Sequence, residues 1–160
     1  FYTENRGLDN PINYYNLWSA NNTQEVPFEE GNDNPVVKTV YDPCPVGFKM
    51  PASNAFTGFT ENGKNRGVIN AVGIEDRSNY NLNFGHNFWT DSNKNSTIFF
   101  PRTGYINELG KWVDGNSGSV WTAVPNETSQ ATRLFFDQAN VDPLNYYPRE
   151  FGYSVRPVSE

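Results

Sequence analysis

The runs SVWTAV at residues 119–124 and TRLFF at residues 132–136 decide the fold. Both are rich in β-branched and aromatic residues, which suit the pleated, half-buried surface of a sheet. The connection between them is short, so we expect them to pair as strands. The sequence therefore places a β-sheet in the second half of the chain.

Further strand candidates lie on both sides of this pair. They are short and β-rich, and glycine, proline or aspartate bounds most of them. These candidates are residues 36–41, 97–100, 104–106, 111–113, 140–142 and 153–158. After the first of them, Asp-Pro-Cys-Pro at 42–45 predicts a stiff turn, because proline has no N–H group for a strand ladder.

Helical signals are few. The best candidate spans residues 53–57, where Ser53 is placed to cap the first turn and Gly58 to end the helix. Residues 61–95 are predicted to be mostly loop, and residues 124–130 and 144–150 are predicted to be loops on one face. The pattern indicates a mixed α+β class, with short strands, long loops and one or two short helices.

The composition excludes several kinds of partner. Aromatic residues make up 16% of the chain and charged residues only 19%, with a net charge of −6. An acidic chain lacks the basic surface that nucleic acids require, and anionic membranes repel it. No apolar run approaches the ~20 residues of a membrane span, so direct membrane insertion of this domain is not expected. Glycans and protein surfaces are the expected partners.

The sequence offers little for catalysis. His86 is the single histidine and therefore the only base for a serine triad, and no Gly-x-Ser-x-Gly elbow accompanies it. A loop histidine bonded to the backbone is the alternative. Cys44, the lone cysteine, is expected to be a buried and inert thiol. Acidic pairs occur, but none has a distinguishing context. We predict that the protein is not an enzyme and uses no cofactor.

Three segments carry a family resemblance: residues 34–51, residues 97–105, and residues 120–123 together with residues 152–158. Together they resemble the Fibrobacter succinogenes major paralogous domain, in the form found at the C-terminus of fimbrillin-like surface proteins of gut Bacteroidales. The resemblance implies a C-type-lectin-like fold with short twisted antiparallel strands. It also implies export, display at the cell surface or outer membrane, and no established catalytic residues.

The resemblance also sets limits. The resemblance implies that formylglycine-generating enzymes, which share this fold, need paired active-site cysteines. Cys44 alone cannot supply such a pair. Calcium-dependent C-type lectins use acidic and amide oxygens that neither residues 89–91 nor residues 148–150 reproduce. No metal site is predicted, although the many Asp and Asn side chains leave a structural calcium ion open.

The resemblance also suggests the organisation of the chain. Residues 1–160 are predicted to form a single domain, with a polar N-terminal segment at 1–33 and a family-like core at 34–158. The chain begins at Phe1 without a signal-peptide pattern. We therefore interpret it as a fragment or mature form, and as the C-terminal module of a longer surface protein.

Residues 122–151 are the predicted ligand face, because tyrosine offers rigid contact area and asparagine offers adaptable hydrogen bonding. The candidate binding residues are Asn126, Glu127, Asp137, Asn140, Asn145, Tyr146, Tyr147 and Arg149. Asn and Tyr codons are rich in adenine, which is also compatible with diversification of this stretch by a retroelement.

The sequence leaves three functions open. The first is adhesion or binding, through C-terminal loops, of a glycan or of a host or bacterial surface protein. The second is a structural pilus or fimbrial module that pairs with other fimbrial subunits. The third is a degenerate enzyme. A concave aromatic pocket would favour the first, an exposed edge strand the second, and acidic groups around His86 the third.

Overall fold

The computed structural model describes residues 17–21, 30–32, 34–76, 78–113, 115–126 and 129–160. These residues form a 3₁₀ helix, Ser53–Phe59, and one α-helix, α1, Ser78–Asn83. The strands are short, and their bounds are β1 Phe48–Lys49, β2 Gly85–Trp89, β3 Thr97–Pro101, β4 Tyr105–Ile106, β5 Trp112–Val113, β6 Gly118–Asn126, β7 Gln130–Phe136, β8 Val141–Pro148, β9 Ser154–Val155 and β10 Val158–Ser159.

The strands form one four-stranded sheet and three two-stranded sheets. In the larger sheet the order is β8-β7-β6-β9, with antiparallel neighbours except for β9, which runs parallel to β6. The smaller sheets pair β2 with β3, β4 with β5, and β1 with β10. Small antiparallel sheets with few helices confirm the α+β class at this coarse level.

One face of the four-stranded sheet carries the larger core. Leu134 and Phe136 of β7 are fully buried there, against Phe88 and Phe100 of the β2–β3 hairpin. The 3₁₀ helix adds Phe59, whose ring stacks on Phe88 at a centroid distance of 4.0 Å. Burying each of these side chains contributes about 1.5–3 kcal/mol, so this cluster is the main apolar contribution to the fold.

The opposite face carries a smaller apolar cluster. Trp121 of β6 is 4% exposed and lies among Val36, Cys44 and Met50. Trp18 packs on Trp121 with a ring-centroid distance of 5.8 Å. Part of the predicted N-terminal segment therefore packs on the sheet; residues 1–16, 22–29 and 33 lie outside the described residues.

The Asp-Pro-Cys-Pro turn is held by two charged side chains. The Asp42 carboxylate accepts backbone N–H bonds from Cys44 at 2.8 Å and from Met50 at 3.0 Å. Lys38 Nζ donates to the carbonyls of Pro45 at 2.8 Å and Phe48 at 2.7 Å. The stiff turn predicted from the prolines is present, and side-chain hydrogen bonds hold it in addition to the prolines.

Several predicted elements differ from those observed. Residues 36–41 form no strand, and only Lys38 makes an isolated bridge, to Ser19. The predicted helix is a 3₁₀ helix that continues past Gly58 and has no side-chain cap. Residues 61–95, predicted as loop, contain α1 and β2. The last predicted strand is divided into β9 and β10 in different sheets, because Pro157 cannot donate to a ladder.

The two predicted C-terminal loops are largely strands. Strand β6 continues to Asn126, and β8 extends from Val141 to Pro148. Local propensity disfavours β8, since it contains Pro143, Asn145 and Pro148. An edge strand tolerates prolines, and pairing with β7 decides the conformation of this stretch.

Candidate functional site

An open cleft with a volume of about 620 Å³ lies beside β8. We call it the β8 cleft. Its walls offer polar and apolar surface in about equal measure, from side-chain amides, two arginines, one aspartate and two tyrosines. The residues that line it are Asn65, Arg66, Gln130, Arg133, Asp142, Asn145, Tyr146, Tyr147 and Pro148.

A bulge in β8 shapes this cleft. Arg133 pairs with Asn145 and Phe135 pairs with Asp142, so two residues of β8 lie opposite Leu134 alone. Residues three apart in a regular strand point to opposite faces, and one extra residue restores them to the same face. The bulge thus brings Asp142 beside Asn145, whose Nδ2 donates to Asp142 Oδ2 at 3.4 Å.

Arg133 is a buried cation in the wall of the cleft, with 7% of its surface exposed. Its Nε donates to Asn145 Oδ1 at 2.9 Å and its Nη1 to Ser119 Oγ at 3.1 Å. The guanidinium lies between two rings, 4.3 Å from the centre of Tyr147 and 4.4 Å from that of Tyr153. Burial lowers the pKa of Arg133, and nearby tyrosines oppose that shift.

The two tyrosines beside Arg133 belong to a longer series of aromatic contacts. Tyr153 contacts Trp121 with a centroid distance of 4.9 Å, and Tyr147 contacts Phe151 at 4.7 Å. Burial raises the pKa of Tyr153, so this hydroxyl stays neutral. These rings form a wall between the β8 cleft and a second, more apolar cleft.

The second cleft has a volume of about 370 Å³. We call it the tryptophan cleft. Aromatic rings dominate it, with Arg149 and Glu150 also in its lining. Its rings come from Trp18, Tyr41, Trp121, Phe151 and Tyr153. The described face therefore offers a polar cleft and an aromatic cleft on either side of one wall.

The free edge of β8 is occupied along its first half. Asn65 Oδ1 accepts the Leu144 N–H at 2.9 Å, and Asn65 Nδ2 donates to the Leu144 carbonyl at 3.2 Å. The Arg66 N–H donates to the Val141 carbonyl at 3.1 Å. These contacts satisfy backbone groups that an added strand would need, which disfavours edge pairing there.

The structure brings together half of the predicted binding residues. Asn145, Tyr146 and Tyr147 line the β8 cleft, on a strand and not on the predicted loop. Arg149 lines the tryptophan cleft just after β8. Asn126 is buried at the end of β6 and does not line the β8 cleft.

Two other predicted residues, Asp137 and Asn140, line neither cleft. Asp137 and Asn140 form the β7–β8 turn, where Asp137 Oδ1 accepts the Asn140 N–H at 2.8 Å. Gln130 lies at the other end of β7, a strand of seven residues, so the turn is about 20 Å away from it. Glu127 lies outside the described residues.

Sequence reasoning missed Arg133, Asn65 and Arg66. Arg133 stands inside an apolar strand, and that placement is the one local signal that could have identified it, because buried arginines need partners. Asn65 contacts Leu144 across 79 residues of sequence, and no local pattern reports such a contact.

The residues considered for catalysis are buried. His86 lies in β2, not in a loop; it is 5% exposed, and its Nε2 is 2.9 Å from the Asp137 carbonyl. Burial lowers the pKa of His86 and raises that of Cys44 to about 12, so a cationic imidazole and a thiolate are both disfavoured.

Metal ligands are not grouped in the part of the chain that the structure describes: no three His, Cys, Asp or Glu side chains there could hold an ion together. Asp91 instead shapes its own loop, accepting bonds from the Asn93 N–H at 2.9 Å and from Ser96 Oγ at 2.7 Å. Among the described residues, no helix is long and apolar enough to cross a membrane.

Comparison with known proteins gives one family. A model described as a domain of unknown function, DUF8237, matches residues 84–158. No curated protein matches, and no solved structure matches. The matched part of the chain holds the four-stranded sheet and both tyrosines that flank Arg133, whereas Asn65 and Arg66 lie outside it.

Proposed function

We propose that this chain is a non-catalytic binding domain that recognises a glycan on the face shared by the β8 cleft and the tryptophan cleft. Its scaffold would be C-type-lectin-like, exported and displayed at the cell surface or outer membrane. Short antiparallel strands and two short helices support that scaffold, together with the resemblance of residues 34–158.

The observation that carries the proposal is the combination of an exposed ring with side-chain amides in one concave site. Tyr147 is 38% exposed beside the β8 cleft, with Asn65, Gln130 and Asn145 in the same walls. Sugar rings have apolar faces and hydroxyl edges, so a tyrosine face and amide groups complement both. Pockets that fix a ligand with a few placed polar groups are typical binding sites.

Two further observations favour binding over the alternatives. The buried states of His86 and Cys44 remove the groups on which a degenerate enzyme would depend. The Asn65 and Arg66 contacts occupy half of the β8 edge, which weakens the case for strand pairing between fimbrial subunits at that edge. A protein surface remains a partner for the same clefts.

A glycan array of the purified domain tests the proposal, with Tyr147→Ala beside the wild type. We expect reproducible binding that falls about tenfold or more in the variant, since truncating a central tyrosine removes most of its contact. The matched control is Phe99→Ala, because Phe99 is 40% exposed on β3 and lines neither described cleft. Chelator should leave binding unchanged.

Two outcomes would contradict the proposal. If no glycan binds the folded domain, recognition of a protein surface takes its place. If Tyr147→Ala and Phe99→Ala reduce binding equally, the site lies elsewhere or the loss reflects a general change in the fold.

A further inference from the structure

The charges in the β8 cleft differ in sign from those of the whole chain. The chain has a net charge of −6. The cleft is lined by two cations, Arg66 and Arg133, and one anion, Asp142. A locally cationic cleft in an acidic protein attracts anionic ligands.

Within the part of the chain that the structure describes, no carboxylate lies within 4.0 Å of the Arg133 guanidinium. The ion pair found among the described residues joins Lys38 Nζ to Glu160 Oε1 at 3.8 Å and does not involve Arg133. Neutral groups hold the guanidinium instead: Ser119, Asn145 and two tyrosine rings. A buried charge without a counter-ion is costly, which favours a ligand that brings one.

Asp142 is the anion of the cleft, and its charge opposes the lowering of the Arg133 pKa, but no ion pair within 4.0 Å joins these two described side chains. Its Oδ1 accepts the Arg66 N–H at 2.9 Å, and its Oδ2 accepts from Asn145 Nδ2 at 3.4 Å. These bonds hold Asp142 against the loop at Arg66 and the bulge of β8. The carboxylate therefore fixes the Arg66 backbone and Asn145, and Asn145 in turn accepts from Arg133.

Gln130 also lines the cleft, and its side-chain oxygen has no hydrogen-bond partner among the described residues. That oxygen, Oε1, is buried. Buried unsatisfied oxygens are rare in folded proteins. An amide oxygen accepts from a hydroxyl group, whereas a guanidinium donates to a carboxylate. The cleft thus presents partners for both groups in one molecule.

We propose that the β8 cleft selects a sugar that carries a carboxylate, such as a uronic or sialic acid. Arg133 and Arg66 are its charge partners, and Gln130 accepts from a hydroxyl of the sugar. This inference rests on the proposed function and names the class of glycan. Charge-assisted bonds between guanidinium and carboxylate are among the stronger polar contacts, so the carboxylate should dominate selectivity.

The test is a binding titration with pairs of oligosaccharides. One member of each pair carries uronic or sialic acid, and the other is the same oligosaccharide after reduction of its carboxyl groups to alcohols. We expect the acidic member of at least one pair to bind about tenfold more tightly, with an affinity that falls as salt rises. Neutral members should show little salt dependence.

Variants that remove single charges test whether the preference for acidic sugars comes from this cleft. Arg66→Gln should reduce acidic binding about tenfold, so that the ratio of acidic to neutral binding falls by a similar factor. Lys94→Gln is the matched control, because Lys94 is an exposed cation at a φ of 56°, close to the 55° of Arg66, and does not line the cleft. Asp142→Asn keeps an oxygen acceptor and should tighten acidic binding a few-fold.

The outcomes separate the two proposals. Equal binding of acidic and reduced members overturns the acidic-sugar inference and leaves glycan recognition standing. An acidic preference that Arg66→Gln and Lys94→Gln weaken equally, or that neither changes, also overturns it, because the selective charge then lies outside the cleft. Failure of every pair and every other glycan to bind overturns the proposed function itself.

Discussion

On one face of the four-stranded sheet, Leu134 and Phe136 lie among aromatic rings and contact almost no water. On the other face, Arg133 of the same strand lines an open cleft, and its guanidinium lies 5.2 Å from the centre of the Phe135 ring. Alternate residues of β7 therefore serve two purposes, since successive side chains of a strand point to opposite faces. One face carries the larger apolar cluster, and the other combines the smaller cluster around Trp121 with the β8 cleft.

Each face also buries a basic side chain, and the two side chains differ in their charge. His86 packs against Phe136 on the apolar face with a centroid distance of 6.0 Å, and burial lowers its pKa so that the ring is neutral. Arg133 on the opposite face keeps its charge, because guanidinium groups do not lose their proton in proteins. The Asn145 amide, the Ser119 hydroxyl, the flanking tyrosine rings and the nearby charge of Asp142 all favour this buried cation.

The largest expected difference is between two adjacent phenylalanines. Phe136→Ala should lower the free energy of unfolding by about 3–5 kcal/mol, because the fully buried ring leaves a cavity in the core. Phe135→Ala should cost less than half as much, since Phe135 is only partly buried on the other face. Urea denaturation of both variants measures the difference. Equal losses would mean that the two faces contribute equally to stability.

The contrast between the faces can be predicted from the sequence only in part. The β-branched and aromatic residues at 119–124 and 132–136 correctly predict strands, and the short strands near residues 97–113 are confirmed. Each of these segments has strong local propensity, so local sequence decides its structure. The α+β class follows from the same signals.

The cleft could not be predicted in the same way. Strand β8 contains two prolines, and its pairing with β7 gives it a strand conformation. The bulge of β8 opposite Leu134 belongs to the same pairing. Tyr146 and Tyr147 were predicted as binding residues from residue type, and their placement on a loop was wrong. Asn65 and Arg66 reach the site from a distant loop, and a single sequence holds no record of that contact.

A smaller effect is expected from Arg133→Met. If Arg133 serves recognition more than stability, a side chain of similar length should change the free energy of unfolding by no more than about 1.5 kcal/mol, because replacing a buried charge by an apolar group is often neutral. The same variant should lose the preference for acidic sugars. Thermal or urea unfolding measures the first effect, and titration measures the second. A loss above about 3 kcal/mol would show that Arg133 chiefly stabilises the sheet.

The smallest expected effect is the pH dependence contributed by His86. Burial, opposed by the carbonyl of Asp137, places the pKa of His86 in the folded protein below its ordinary value of 6.5. As pH falls below about 6.5 the unfolded chain binds a proton that the folded protein resists, so the free energy of unfolding decreases by at most about 1.4 kcal/mol per pH unit. Above that pH both states are neutral at this site, and the contribution is constant.

His86→Phe isolates this effect because the chain has one histidine. An aromatic ring suits the neighbours Tyr80 and Phe88, whose centroids lie 4.7 Å and 5.4 Å from that of His86. The variant should lose the decline in stability between about pH 6.5 and pH 5, above the range where ordinary carboxylates titrate. An unchanged decline would mean that His86 is charged in the folded protein, and the apolar face would then tolerate a buried cation as the opposite face does.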